Sequence, residues 1–194
     1  MALLTESEVR SAARQTHDRL YESYDQVLAK AARTTEDHFS IFLSHSIKDA
    51  EIVRGAHILL TRLGYSVYVD WIVDRDLDRE EVSPETAIQL RGRMRQCDSL
   101  LYMSTQNSIS SKWMPWELGF FDGYSNGRVA ILPITRSQRD EFEGQEYLGV
   151  YPYVDVAEIR NTQRRALWVN RSTNRYGLFG NWLKEGDRAI TKRS

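Results

Sequence analysis

Residues 39–70 read FSIFLSHSIKDAEIVRGAHILLTRLGYSVYVD, and this stretch decides the fold class. Phe39–Leu43 and Tyr65–Val69 are short, continuous apolar runs. Between them Ile52, Val53, Ala56, Leu59, Leu60 and Leu63 recur at helical spacing. Asp49 stands near the start of that helix and Gly64 just past its end, where cap chemistry favours them. Continuous apolar strands joined through a helix are the signature of a parallel sheet covered on both faces.

The pattern continues outward. Leu100–Met103, Val129–Ile134 and, more weakly, Val150–Val156 are further apolar runs. Ser83-Pro84-Glu85 has the order of N-cap, first helical residue and first-turn acid, and Ala87, Leu90, Met94 and Cys97 follow at helical spacing. The expected architecture is α/β: a flavodoxin-like doubly wound parallel five-stranded sheet over residues 38–156. An extra N-terminal helical segment, 1–37, and a C-terminal extension, 157–194, flank it. The N-terminal segment lacks Gly and Pro and carries one narrow stripe (Val9, Ala13, Leu20, Tyr24, Val27, Leu28, Ala31). Such a stripe has to lie on the main domain or pair with another copy.

The chain has 194 residues, 41% of them apolar and 27% charged, with a formal net charge of −1. Those values exclude collagen-like, disordered and disulfide-framework chains. Cys97 is the only cysteine, so neither an internal disulfide nor a cysteine zinc cage is expected. No apolar run approaches the ~20 residues of a membrane helix, and MALLTESEVR lacks the plan of a secretory leader. A soluble cytoplasmic protein is expected. The extension carries nine Lys or Arg against three acids, interleaved with Trp168, Tyr176, Phe179 and Trp182. That mixture suits contact with nucleic acid or phosphates, or docking on an acidic domain through aromatic anchors. Docking is the expectation, without a nucleic-acid partner.

In a doubly wound sheet, ligands bind beyond the carboxyl ends of the strands. Three segments there could carry chemistry. Ser44-His45-Ser46-Ile47-Lys48-Asp49 brings hydroxyls, an imidazole and a helix start into one turn, able to hold a phosphate or ribose. The same residues also suit a plain turn, and the missing glycines argue against a nucleotide-triphosphate loop. Asp70–Val82 is long and charged, with Trp71 near its start and alternating Arg residues that compete for its carboxylates. A recognition loop is expected there and no metal site. In Ser111-Lys112-Trp113-Met114-Pro115-Trp116-Glu117-Leu118, Pro115 sets a helix start near Ser111–Trp113. Trp113 and Glu117 then fall at i and i+4 on one face. A carboxylate beside an indole suits a cationic planar group, whereas a surface acid over a core tryptophan would be its structural counterpart.

Taken in order, these segments resemble the Toll/interleukin-1 receptor (TIR) domain family in its bacterial branch. The marks are FSIFLSHS at 39–46 with Lys48-Asp49, YSVYVD at 65–70, and the WxxxE pattern from Trp113 to Glu117. The resemblance covers roughly Phe39 to Val156. It implies an NAD⁺-cleaving enzyme whose products are nicotinamide plus ADP-ribose or a cyclic isomer, with NAD⁺ as substrate and no cofactor. It further implies that Glu117 acts at the nicotinamide ribose, that Ser44, His45, Ser46 and Lys48 line the site, and that Trp113 lies against the substrate. Trp71 joins the binding set on the Asp70–Val82 segment, which in the family mediates contacts between TIR domains and gates access. Self-association through the domain and a role in anti-phage defence belong to the same implication. The N-terminal helix lies outside the resemblance, and its stripe alone suggests it for pairing with another copy.

One carboxylate is sufficient for that chemistry. Ordinary glycosidases pair two, one of which protonates the leaving oxygen. Nicotinamide leaves a pyridinium as a neutral molecule, so only the oxocarbenium-like ribose needs stabilising. Two rivals share parts of the pattern: a non-catalytic TIR module that signals by assembly, and a nucleoside deoxyribosyltransferase-like enzyme. A receiver domain with Asp70 as its phosphorylated acid is excluded, because Ser44-His45-Ser46 replaces the acid pair it requires.

Overall fold

In a computed structural model the protein is described over residues 3–19, 38–74, 83–137 and 146–192. The parallel core consists of β2 (Phe39–Ser44), β3 (Val67–Tyr68), β4 (Cys97–Ser104), β5 (Val129–Thr135) and β6 (Tyr153–Glu158). They lie side by side in the order β3-β2-β4-β5-β6, all parallel. Counted along the core alone this is the 2-1-3-4-5 order of flavodoxin-like folds. The five runs visible in the sequence are these strands. The fifth begins at Tyr153 rather than Val150, because residues 146–150 form a single helical turn.

The helices cover both faces. α1 (Glu6–Arg19) lies on α2 (Ala50–Arg62), which covers the face built from Ile41, Leu43, Leu101, Met103, Ala130 and Leu132. α4 (Pro84–Arg95) and α5 (Trp113–Ser125) cover the face of Phe42, Leu100, Tyr102, Val129 and Ile131. Between β3 and α4, α3 (Asp70–Val73) is one short turn. Ser83 caps α4 as its sequence foretells, accepting from Thr86 N with Pro84 in the first turn. Gly64 takes φ +93° just past α2, where an L side chain would be strained.

Two flanking pieces enlarge the sheet beyond its five parallel strands. β1 (Leu4–Thr5) pairs parallel with the end of β5, Leu4 opposite Ile134. Residues 165–192 continue the sheet past β6 as β7 (Arg165–Ser172), β8 (Arg175–Leu178), α6 (Phe179–Glu185) and β9 (Thr191–Lys192), with the strands antiparallel. Leu167, Val169, Phe179 and Trp182 of this extension belong to the same core as Ile41 and Leu43. Leu20, Tyr24, Val27, Leu28 and Ala31 of the N-terminal stripe lie outside the described residues.

Val9, Ala12 and Ala13 are buried beneath α1, and the backbone of Val9 meets α2 at Gly55. A Cβ at Gly55 would collide with the Val9 carbonyl, so the crossing depends on the absent side chain. Gly55→Ala is expected to lower stability by about 2 kcal/mol through overpacking, seen as an earlier urea midpoint and faster proteolysis within α1. His57, also on α2, has Nδ1 enclosed with no hydrogen-bond partner among the described residues. Burial pushes its pKa down from 6.5 to about 4. Its folded pKa lies below the unfolded one, so the stability linked to neutral His57 is present above pH 6.5 and lost as pH falls towards 4. His57→Gln should flatten that part of a melting-temperature profile between pH 7 and 4.

Candidate active site

The order of strands reverses between β2 and β4, and their carboxyl ends open the cleft where such sheets bind ligands. Ser44 is the last residue of β2 and pairs in register with Tyr102 of β4. Both face α5. Glu117, one turn into that helix, has 0% exposure, and Ser44 Oγ donates to its Oε2 at 2.6 Å. A fully enclosed carboxylate needs such a donor, because burial without one costs several kcal/mol. The start of α5 explains the placement: Ser111 Oγ accepts from Met114 N at 3.3 Å, and Pro115 occupies the first turn, where a missing N–H is harmless. Trp113, Met114, Glu117, Leu118 and Phe121 form the buried face of the helix.

Tyr102 was not among the sequence candidates. Burial, with the neighbouring Tyr147 and Glu117, pushes the pKa of its hydroxyl up to about 12. It is therefore a neutral hydroxyl near Glu117 at any ordinary pH. Tyr147, 45% exposed, brings this cluster to the surface. Only strand pairing places Tyr102 beside Ser44, so no local pattern marks it.

The other candidates separate. Ser46 caps the turn at Ile47–Asp49, its hydroxyl accepting from Lys48 N, and Lys48 is exposed with Nζ 3.5 Å from Ser110 Oγ. His45 is buried; its Nδ1–H donates to Leu43 O at 2.8 Å, and Nε2 lies 3.4 Å from Asp70 Oδ1. That pair ties the end of β2 to the start of α3. Trp71 packs against the core of the opposite face from Glu117. Asp74 accepts a two-pronged guanidinium from Arg93 at 2.8 and 2.5 Å and the Tyr68 hydroxyl at 2.7 Å. Residues 75–82 of the expected recognition loop lie outside the described residues. Among the described residues no group of three or more His, Cys, Asp or Glu is placed to hold a metal ion.

Asp49 corrects its expected role as a helix cap. It stands at the N-cap position of α2 but makes no cap hydrogen bond. Its buried carboxylate instead accepts from Thr105 Oγ1 and Asn107 Nδ2, both at 2.6 Å. The loop after β4 is thereby fastened to the loop after β2, and Thr105 and Ser108 close a further turn on each other. Beside this frame a groove of about 540 Å³ runs between the starts of α4 and α5, lined by Ser83, Pro84, Ala87, Lys112, Trp113 and Trp116. The two indoles meet edge to face at 5.3 Å, and Trp116 stacks on Phe120 at 5.8 Å. Such an aromatic wall accepts a planar ring.

The sequence model of the family described as "TIR domain" matches residues 41–168. The chain is 45% identical over 175 residues to a Bacillus cereus (strain MSX-D12) protein named "Probable 3' cyclic ADP-D-ribose synthase ThsB'", covering 90% of this chain and 86% of that protein. It is also 35% identical over 83 residues to a Cytobacillus dafuensis protein named "Putative cyclic ADP-D-ribose synthase TIR2", covering 42% of this chain and 22% of the relative. Among the described residues no helix is long and apolar enough to cross a membrane.

Removing the Asp49 carboxylate leaves Thr105 and Asn107 without their acceptor. Asp49→Ala is expected to cost about 2–3 kcal/mol, read as a lower urea midpoint, with Asp49→Asn losing less.

Proposed function

The chain belongs to the TIR domain family, and on that footing we propose that it cleaves the nicotinamide–ribose bond of NAD⁺ and closes the ADP-ribose product into a cyclic isomer. The observation that carries this is the enclosed Glu117 carboxylate, held by Ser44 at the point where the strand order reverses. The 45% identity to a relative named as a cyclic ADP-ribose synthase supports the cyclic outcome. NAD⁺ is a consumed substrate in this scheme, and no cofactor takes part.

The proposed chemistry follows from charge. The pyridinium leaves as neutral nicotinamide, so no acid is needed at the leaving group. Positive charge grows on the ribose, and the Glu117 anion stabilises it in a site sheltered from water, where its field is strongest. Ring closure then requires a ribose or base nucleophile to attack the same carbon and release one proton, for which Glu117 is the acceptor at hand. The Ser44 hydroxyl fixes the carboxylate's orientation. Trp113 flanks the planar ring, with Trp116 as the second wall of the groove. Lys48, exposed, borders the approach, and Ser46 caps the turn that carries it, while His45 and Trp71 act at a remove by holding the end of β2 and the start of α3 in place.

A bacterial protein of this kind would work in the cytoplasm, where NAD⁺ is plentiful, and its product would act as a nucleotide signal in anti-phage defence. Assembly through the TIR domain, with the N-terminal helix contributing, is the proposed switch. No nucleic-acid or membrane partner enters the scheme.

The test is nicotinamide release from NAD⁺ at low and high protein concentration, followed by chromatography. Wild type is expected to release nicotinamide and a cyclic adenine-containing product, faster per molecule when concentrated. Glu117→Ala and Glu117→Gln should each lose about 10³-fold in rate, as removal of a principal electrostatic group does, and Glu117→Gln, which keeps an acceptor for Ser44 Oγ, should melt near the wild-type temperature. A folded Glu117→Ala that keeps its turnover would overturn the assignment. Turnover of deoxynucleosides in place of NAD⁺ would favour a deoxyribosyltransferase.

A further inference from the structure

Because β2, β4 and β5 are neighbours in the sheet, the loops that follow them lie side by side along its carboxyl edge. The loop after β4 is the middle one, and Asp49 fastens it from beneath. A cation reaches it from each flank. Lys48 Nζ donates to Ser110 Oγ at 3.5 Å from the β2 side, and Arg136 Nη2 donates to Gln106 Oε1 at 2.6 Å from the β5 side. Both acceptors are neutral. Among the described residues neither cation has a carboxylate partner, and the carboxylate of Asp49, which follows Lys48 in the chain, is already buried and engaged. A neutral acceptor orients a cation without cancelling its charge, so two fixed positive charges face solvent along this edge, with Lys112 adding a third at the start of α5.

We propose that Arg136 and Lys48 form a diphosphate-binding rim that spans the loop after β4 and holds the ADP portion of the dinucleotide above Glu117. This rests on the assignment of NAD⁺ as substrate and adds the residue that recognises its phosphates. The two negative charges of a diphosphate match the two cations. Arg136 spends one N–H on Gln106 and retains others in a planar fork suited to phosphate oxygens. Such contacts act away from the bond that breaks, so they bind ground state and transition state alike, and their loss falls on KM.

The experiment compares NAD⁺ with nicotinamide riboside, which has the same scissile bond and no phosphate. In Arg136→Ala and in Lys48→Ala the preference for NAD⁺ over the riboside should fall roughly tenfold each, the scale of one exposed charge-assisted contact. KM for NAD⁺ should rise while kcat changes little. Arg136→Lys should recover most of the loss, and added salt should raise the wild-type KM more steeply than that of the variants. An unchanged preference, or an equal loss on both substrates, overturns the rim. Titration calorimetry with ADP-ribose gives an independent readout: the rim requires weaker binding in both variants than in wild type. If wild type cleaves neither substrate, the assignment of NAD⁺ cleavage fails, and this titration decides the rim alone.

Discussion

A carboxylate without exposed surface survives only if its surroundings supply hydrogen-bond donors, and the Glu117–Ser44 contact is that condition in this protein. Its two halves come from distant parts of the chain. Ser44 ends the first strand of the parallel core, and Glu117 sits one turn into the helix after β4. Their meeting requires β2 and β4 to be neighbours in register and α5 to begin at Trp113 rather than a residue earlier or later. A shift of one residue in α5 would rotate Glu117 by about 100° away from Ser44. Pro115 and the Ser111 hydroxyl hold that start in place.

Around this contact the loops are fastened to one another rather than left to vary. Asp49 joins the loops after β2 and β4, His45 and Asp70 join β2 to α3, and Arg93 with Tyr68 holds Asp74. These links are polar and largely buried. Each fixes a loop that would otherwise lose its position to chain entropy. The proposed chemistry profits from this rigidity, since an anion aimed at a developing positive charge is effective only when it need not reorganise.

The flanking pieces add to the sheet instead of forming bodies of their own. β1 extends the end of β5, α1 crosses α2 at Gly55, and β7 to β9 continue the sheet past β6. Phe179 and Trp182 of the basic extension sit in the same core as the first parallel strand. Many of its arginines and lysines are left on the outer surface, which is why its composition differs while its packing does not.

The sequence by itself determined the parallel core, the helix boundaries at Ser83-Pro84 and Pro115, and the Trp113/Glu117 pair. Those features are local: apolar runs, helical spacing and proline chemistry act over a few residues. It did not yield β7 and β8. Arg165–Ser172 and Arg175–Leu178 alternate buried with exposed positions and carry basic side chains outward, so they resemble a charged tail more than strands. Asp49 misled for a related reason, since an acid before a helix suits a cap until a neighbouring loop offers stronger donors. Tertiary structure alone set Tyr102 beside Ser44, Arg136 against Gln106 and Trp116 in the groove wall. Each depends on which strands and helices become neighbours, and that is settled by burying two apolar faces at once, not by any single segment of the chain.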